Sequence, residues 1–136
     1  MDLSTEGTAD LNAGVLGPFA AALGMEFIRA DGDEVTAAWV AGPALHQPYG
    51  IVHGGVHCSI VETLASVGAA RWLGDRGKVV GVSNSTDFFH AATEGRLTST
   101  ATPLHRGRSQ QVWVVETRDQ DDRLVARGQL RLQNLS

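Results

Sequence analysis

An α+β fold, in which one antiparallel sheet wraps around a single long helix, is predicted by three observations on this chain. First, the stretch Gly54–Leu73 is the one segment long enough for a substantial helix, and it stops at Gly74. Bulky Val56, Ile60, Leu64, Val67 and Trp72 share one helical stripe, while Cys58, Ser59, Glu62, Ser66 and Ala69 share another made of small and polar residues. Second, the chain beyond it changes to four β-rich runs, 79–89, 96–105, 110–119 and 124–133. Turn-forming Thr93-Glu94-Gly95, Arg106-Gly107-Arg108 and Gln120-Asp121-Asp122 separate them. Third, two shorter runs, 25–30 and 34–40, flank Asp31-Gly32-Asp33 and read as a hairpin. The order is therefore β-β-α-β-β-β-β, and curling one sheet around the lone helix is the economical way to bury its apolar stripe.

The remaining segments follow from composition. Residues 1–12 are acidic and polar, with no basic start and no hydrophobic stretch, so they read as a flexible tail ahead of one domain over 13–136. No secretory signal is visible, which points to a cytoplasmic location. Residues 15–23 form a short helix or turn broken at Gly17-Pro18, and a Gly- and Pro-punctuated loop at 42–50 leads into the long helix. At 136 residues there is core enough for one domain but not two. With 43% hydrophobic and 19% charged residues the composition is ordinary for a globular protein. No apolar run approaches the ~18 residues of a membrane span. The net charge of −4 argues against nucleic acid as a partner. A single cysteine, Cys58, excludes an internal disulfide framework, and its apolar setting is that of an inert buried thiol.

The chemistry concentrates in Gln47-Pro48-Tyr49-Gly50-Ile51-Val52-His53-Gly54-Gly55 and in Glu62. A His-Gly-Gly turn that opens a helix leaves backbone N–H groups pointing outward at the positive end of the helix dipole, a setting that can hold an oxyanion. A carboxylate in the middle of an apolar helix needs either a partner, such as an arginine, or a task. If both lie on one helix, Gly54 and Glu62 stand ~12 Å apart at the helical rise, too far to serve one carbonyl. Two copies related by a dyad bring the Gly54 N–H of one chain to Glu62 of the other, so a dimer at least is expected.

Other chemistries are weaker. His53 and His57 have a metal-ligand spacing but no third ligand at a standard position, so no metal is expected. Gly81-Val82-Ser83-Asn84-Ser85 lacks the second glycine of a nucleophile elbow, and no phosphate loop or dinucleotide fingerprint is present. His105-Arg106-Gly107-Arg108-Ser109 is a concentrated basic turn that reads either as a phosphate grip or as a solvated hairpin tip. Trp39, Trp72 and Trp113 are expected in packing rather than as stacking platforms.

At these residues the chain resembles the hotdog-fold acyl-CoA thioesterases, in particular the clade of Arthrobacter-type 4-hydroxybenzoyl-CoA, 1,4-dihydroxy-2-naphthoyl-CoA and proofreading aryl-CoA thioesterases. The resemblance runs from Gly50 through Gly50-Ile51-Val52-His53-Gly54-Gly55, Glu62-Thr63-Leu64-Ala65-Ser66, Asn84-Ser85-Thr86-Asp87-Phe88-Phe89 and Leu104-His105-Arg106-Gly107-Arg108. It implies that Glu62 acts on the thioester as nucleophile or general base and that the Gly54 amide polarises the carbonyl beside Gln47. It further implies that Ser66 helps place water and that His53 supports the loop. For the CoA moiety it implies Gly55, Ser83 and Asn84 near the pantetheine and His105, Arg106, Gly107, Arg108 and Ser109 near the nucleotide phosphates. Where the family often has Arg-Pro, this chain has Phe89-His90-Ala91, so one of the family's phosphate contacts to CoA is either missing or replaced by His90. The resemblance implies an acyl-CoA substrate, no cofactor beyond the coenzyme A carried by the substrate, and a homotetramer built from two dimers. A non-catalytic acyl-CoA-binding module of the same fold, or a hotdog hydratase, is the alternative; Glu62 together with Gly54 and Ser66 favours the hydrolase.

Overall fold

The computed structural model describes residues 7–136. Short helices α1 (Ala9–Asn12) and α2 (Pro18–Ala22) precede the hairpin β1 (Glu26–Ala30) and β2 (Val35–Ala41). The long helix α3 (Gly54–Leu73) follows, then β3 (Lys78–Phe88), β4 (Gly95–Arg106), β5 (Gln110–Arg118) and β6 (Leu124–Leu135). The strands form one sheet in the order β1-β2-β4-β5-β6-β3, antiparallel at every pairing. This is the hotdog fold that the sequence predicts, with strand ends moved by one or two residues.

The core lies between α3 and the concave side of the sheet. Ile60, Leu64, Ala65 and Val67 pack in one cluster with Val35, Trp39, Leu97, Trp113, Leu130 and Leu132. Trp39 and Trp113 are sealed, as their hydrophobic area favours. Their indole N–H groups donate to Ser99 Oγ and Gln111 Oε1, each at 2.9 Å, so neither burial strands a donor. Trp72 stays half-buried, with the guanidinium of Arg76 4.5 Å above its ring. Gly68 lets α3 approach the sheet, since a Cβ there would lie 2.6 Å from the Trp113 ring. On the small-residue stripe of α3, Ala69 is fully buried and Ser66 half-buried.

Part of the tail expected over 1–12 is docked on the domain. Residues 1–6 lie outside the described residues, but α1 is docked. Leu11 is buried, and the Asn12 side chain pairs with the Phe27 backbone, accepting its N–H at 2.7 Å and donating to its carbonyl at 3.1 Å. Buried Arg71 of α3 donates to the carbonyls of Gly7 and Ala30 and pairs with Asp10 at 3.3 Å. An isolated leucine in a polar segment carries no periodicity, so only these tertiary partners reveal that the domain begins before residue 13. Among the described residues, no helix is long and apolar enough to cross a membrane.

Strand β3 is at the edge of the sheet and is exposed along most of its length. Val80, Val82 and Phe88 on it are 45%, 55% and 55% exposed. A long edge strand carrying exposed apolar side chains and an unpaired backbone is a template for another strand.

Candidate active site

The loop before α3 is tied down by its own backbone. Gln47 N–H donates to the Ile51 carbonyl at 2.8 Å, Tyr49 N–H donates to Gln47 Oε1, and Gly50 turns the chain at φ 78°. Val52 and His53 then anchor it to Ala92 and Leu45 through backbone hydrogen bonds of 2.8 and 2.9 Å. His53 caps α3, and its Nδ1 accepts the Gly55 N–H at 2.7 Å. Gly55 permits that closure, because a Cβ there would stand 2.9 Å from Nδ1. With Gly55 satisfied by the cap, the Gly54 N–H has no partner among the described residues, at the positive end of a 20-residue helix. Gly54 opens on a cavity of about 310 Å³ whose wall includes Gln47, His57, Phe88, Phe89 and His90.

Two turns further along α3, the Glu62 side chain is exposed in the single chain. Its carboxylate has no arginine partner among the described residues, which removes the reading of a buried ion pair. It accepts instead from Asn84 Nδ2 at 3.2 Å, and the same amide nitrogen donates to the Cys58 carbonyl at 3.0 Å. Thr86 Oγ1 donates to Asn84 Oδ1 at 2.7 Å, fixing which way the amide faces. Glu62 lies close over β3 at Gly81, where a Cβ would meet Oε2 and the carboxylate would have to shift. A β-bulge between Gly81 and Ser83 follows at once and turns Asn84 toward the helix. Asn84, expected at the pantetheine, thus has its amide committed to the carboxylate. Ser83 remains exposed on β3, and Ser66 sits one turn beyond Glu62, half-buried. Glu62, Cys58, Ser59 and Asn84 line a second recess of about 400 Å³, separate from the one at Gly54.

The basic turn is not brought to either recess. It lies at the C-terminal end of α3, where Gly107, Arg108 and Ser109 border a hollow with Trp72 and Arg76. Some 18 residues of helix, or ~27 Å, separate Trp72 from Gly54. Arg106 donates to the Gly32 carbonyl at 2.6 Å and to Asp33 at 2.8 Å, clasping the β1–β2 hairpin. His105 and Arg108 are exposed. Thr86 and Gly81 are the site residues that sequence reasoning missed; a glycine inside a strand is a signal of close approach that could have found the second.

A protein family model described as "Thioesterase superfamily" matches residues 49–126, which include the loop, Gly54, Glu62 and Asn84. A Mycobacterium tuberculosis protein named an esterase is 47% identical over 99% of this chain and 97% of its own length. The proofreading thioesterase EntH of Cronobacter turicensis is 33% identical over 83% of this chain and 82% of its length. The crystal structure of S. sahachiroi AziG superposes with a TM-score of 0.87 at 63% identity, covering 88% of this chain and 98% of that one. The fold and these relatives define a hotdog enzyme that hydrolyses thioesters. The chain belongs to the thioesterase superfamily.

Proposed function

We propose that this protein hydrolyses an acyl-CoA thioester, aromatic or of medium to long chain, to the free acid and CoA, at a site completed by two copies of the chain. The observation that carries this reading is the pair of half-sites. An unpartnered N–H at a helix start opens on one recess, and an oriented carboxylate lines another. Neither alone can both polarise a carbonyl and activate water. Pairing of the exposed β3 edge with its copy would lay the Glu62 face of one subunit beside the helix start of the other, and a tetramer would join two such dimers.

In this site the thioester oxygen receives the Gly54 N–H, with Gln47 alongside and His53 holding the turn. Glu62 either takes a proton from water as it adds to the carbonyl carbon or attacks that carbon itself to give an anhydride that water then opens. In both routes the C–S bond breaks, the CoA sulfur leaves and is protonated, and Ser66 helps place the water. No metal or added cofactor takes part, since the coenzyme A arrives as half of the substrate. Gly55 and Ser83 flank the pantetheine path. The exposed turn of His105, Gly107, Arg108 and Ser109 supplies phosphate contacts at its far end, with Arg106 bracing it. The free Cys58 suits a reducing, cytoplasmic setting.

The test is free-thiol release from benzoyl-, hydroxybenzoyl-, naphthoyl- and C4 to C16 acyl-CoAs. A graded preference across the panel is expected, and no turnover of any member would overturn the reading. Within the same assay Asn84→Ala should lower kcat about tenfold while changing KM less than about twofold, because the lost hydrogen bond steers Glu62 rather than binding substrate. A rise confined to KM would return Asn84 to the pantetheine.

A further inference from the structure

His57 is the residue of the Gly54 cavity that the hydrolytic steps leave unused. It lies one helical turn beyond Gly54 and is only 4% exposed, and its Nδ1 is sealed from solvent with no hydrogen-bond partner among the described residues. Burying an unsatisfied imidazole costs stability that a leucine or phenylalanine would spare, so a polar ring at this point calls for a reason. Its neighbours hold it as part of an aromatic wall. Trp39 meets it edge-on with centroids 5.6 Å apart, and Phe88 lies tilted at 5.8 Å. The residues around the cavity include no Asp, Glu, Lys or Arg, and Gln47 Oε1 is already taken by the Tyr49 N–H. A ligand portion in this space therefore meets aromatic faces and uncharged polar groups. At about 310 Å³ the cavity stands at the small end of ligand sites, a match for one or two fused rings rather than a long chain.

We infer that His57 is a specificity residue, hydrogen-bonding a hydroxyl or alkoxyl group carried on the ring of an aryl acyl substrate seated against Phe88. This rests on the reading that the Gly54 cavity receives the acyl group. Burial also pushes the His57 imidazole down to about 4, so at neutral pH the ring offers one acceptor and one donor. No bond among the described residues pins the tautomer, and with Nδ1 sealed the contact falls to Nε2. Nε2 can accept from a phenol or donate to an ether, and it selects neither charge nor plain hydrocarbon.

The experiment separates binding from turnover. Affinities are measured for non-hydrolysable thioether analogues, phenacyl-CoA against its ortho-, meta- and para-hydroxy and methoxy forms, with wild type, His57→Phe and His57→Leu, each checked for folding by thermal melt. Wild type should bind at least one substituted form about tenfold more tightly than phenacyl-CoA, and both variants should bring that ratio to within about twofold of unity. Discrimination that survives in a folded variant, a wild type that does not discriminate, or a wild type that binds none of the analogues each overturns the inference. Thiol release from the matching thioesters is read in parallel. Discrimination without turnover would fell the hydrolase reading and leave His57 standing, whereas turnover with a ratio insensitive to His57 would do the reverse.

Discussion

Glu62→Gln is expected to lower kcat by about a thousandfold or more, with KM changed little, because the amide can neither take a proton from water nor attack a carbonyl. Glutamine is the informative replacement. It keeps the length and the Oε1 acceptor to which Asn84 donates at 3.2 Å, so it still lies against Gly81. The side chain is exposed in the single chain and makes no ion pair among the described residues, so the melting temperature should hold. A CoA thioether should bind the variant nearly as well as wild type. Steady-state thiol release, a thermal melt and one binding isotherm together decide the matter. A variant within tenfold of the wild-type rate would remove Glu62 from the chemistry, and a collapsed melt would show a structural role instead.

The legible parts of this protein are those whose signal is local. The helix from Gly54 to Leu73 was bounded correctly because a glycine pair follows a capping histidine at one end and Gly74 interrupts the other. The six strands announced themselves by β-rich runs between turn residues, and the order of elements left one plausible way to cover one helix. Gly54 and Glu62 stood out because each is a residue type with a cost or a special freedom at its position. What remained hidden depends on contacts across the fold. The docking of α1 is hidden because Asn12 and Leu11 are held by β1 and the core, not by neighbours in sequence. The bond from Asn84 to Glu62 is hidden in the sequence because the two are 22 residues apart and meet only after the bulge at Gly81 turns the strand. The basic turn reads as a phosphate grip or a solvated hairpin tip, yet one guanidinium nitrogen of Arg106 donates to both Gly32 and Asp33, 74 and 73 residues earlier. His57 looked like half of a thin metal pair; its burial between Trp39 and Phe88 is a property of the wrapped sheet alone.

Mixing two inactive variants should restore activity if the site is shared. Gly54→Ala places a methyl group where a Cβ lies 2.7 Å from the Phe88 ring, so this part of the cavity wall must shift and the seat of the carbonyl at the N–H is expected to be disturbed. Glu62→Gln removes the carboxylate, and each homodimer then carries two identical broken sites. In a heterodimer one site inherits both defects, while the other combines an intact Gly54 with an intact Glu62. Random exchange of equal amounts makes half the dimers mixed, so about a quarter of all sites are whole and about a quarter of wild-type kcat should return. The two variants are co-expressed with different affinity tags, purified sequentially for the mixed species, and assayed for thiol release. The purified heterodimer should then reach about half the wild-type rate. If each chain held a complete site, the heterodimer would stay as inactive as its parents, so a flat result would refute the shared site while leaving the thioesterase assignment to be judged by Glu62→Gln alone. Because Gly54 and Glu62 open on different recesses of one chain, recovery is the result the geometry predicts.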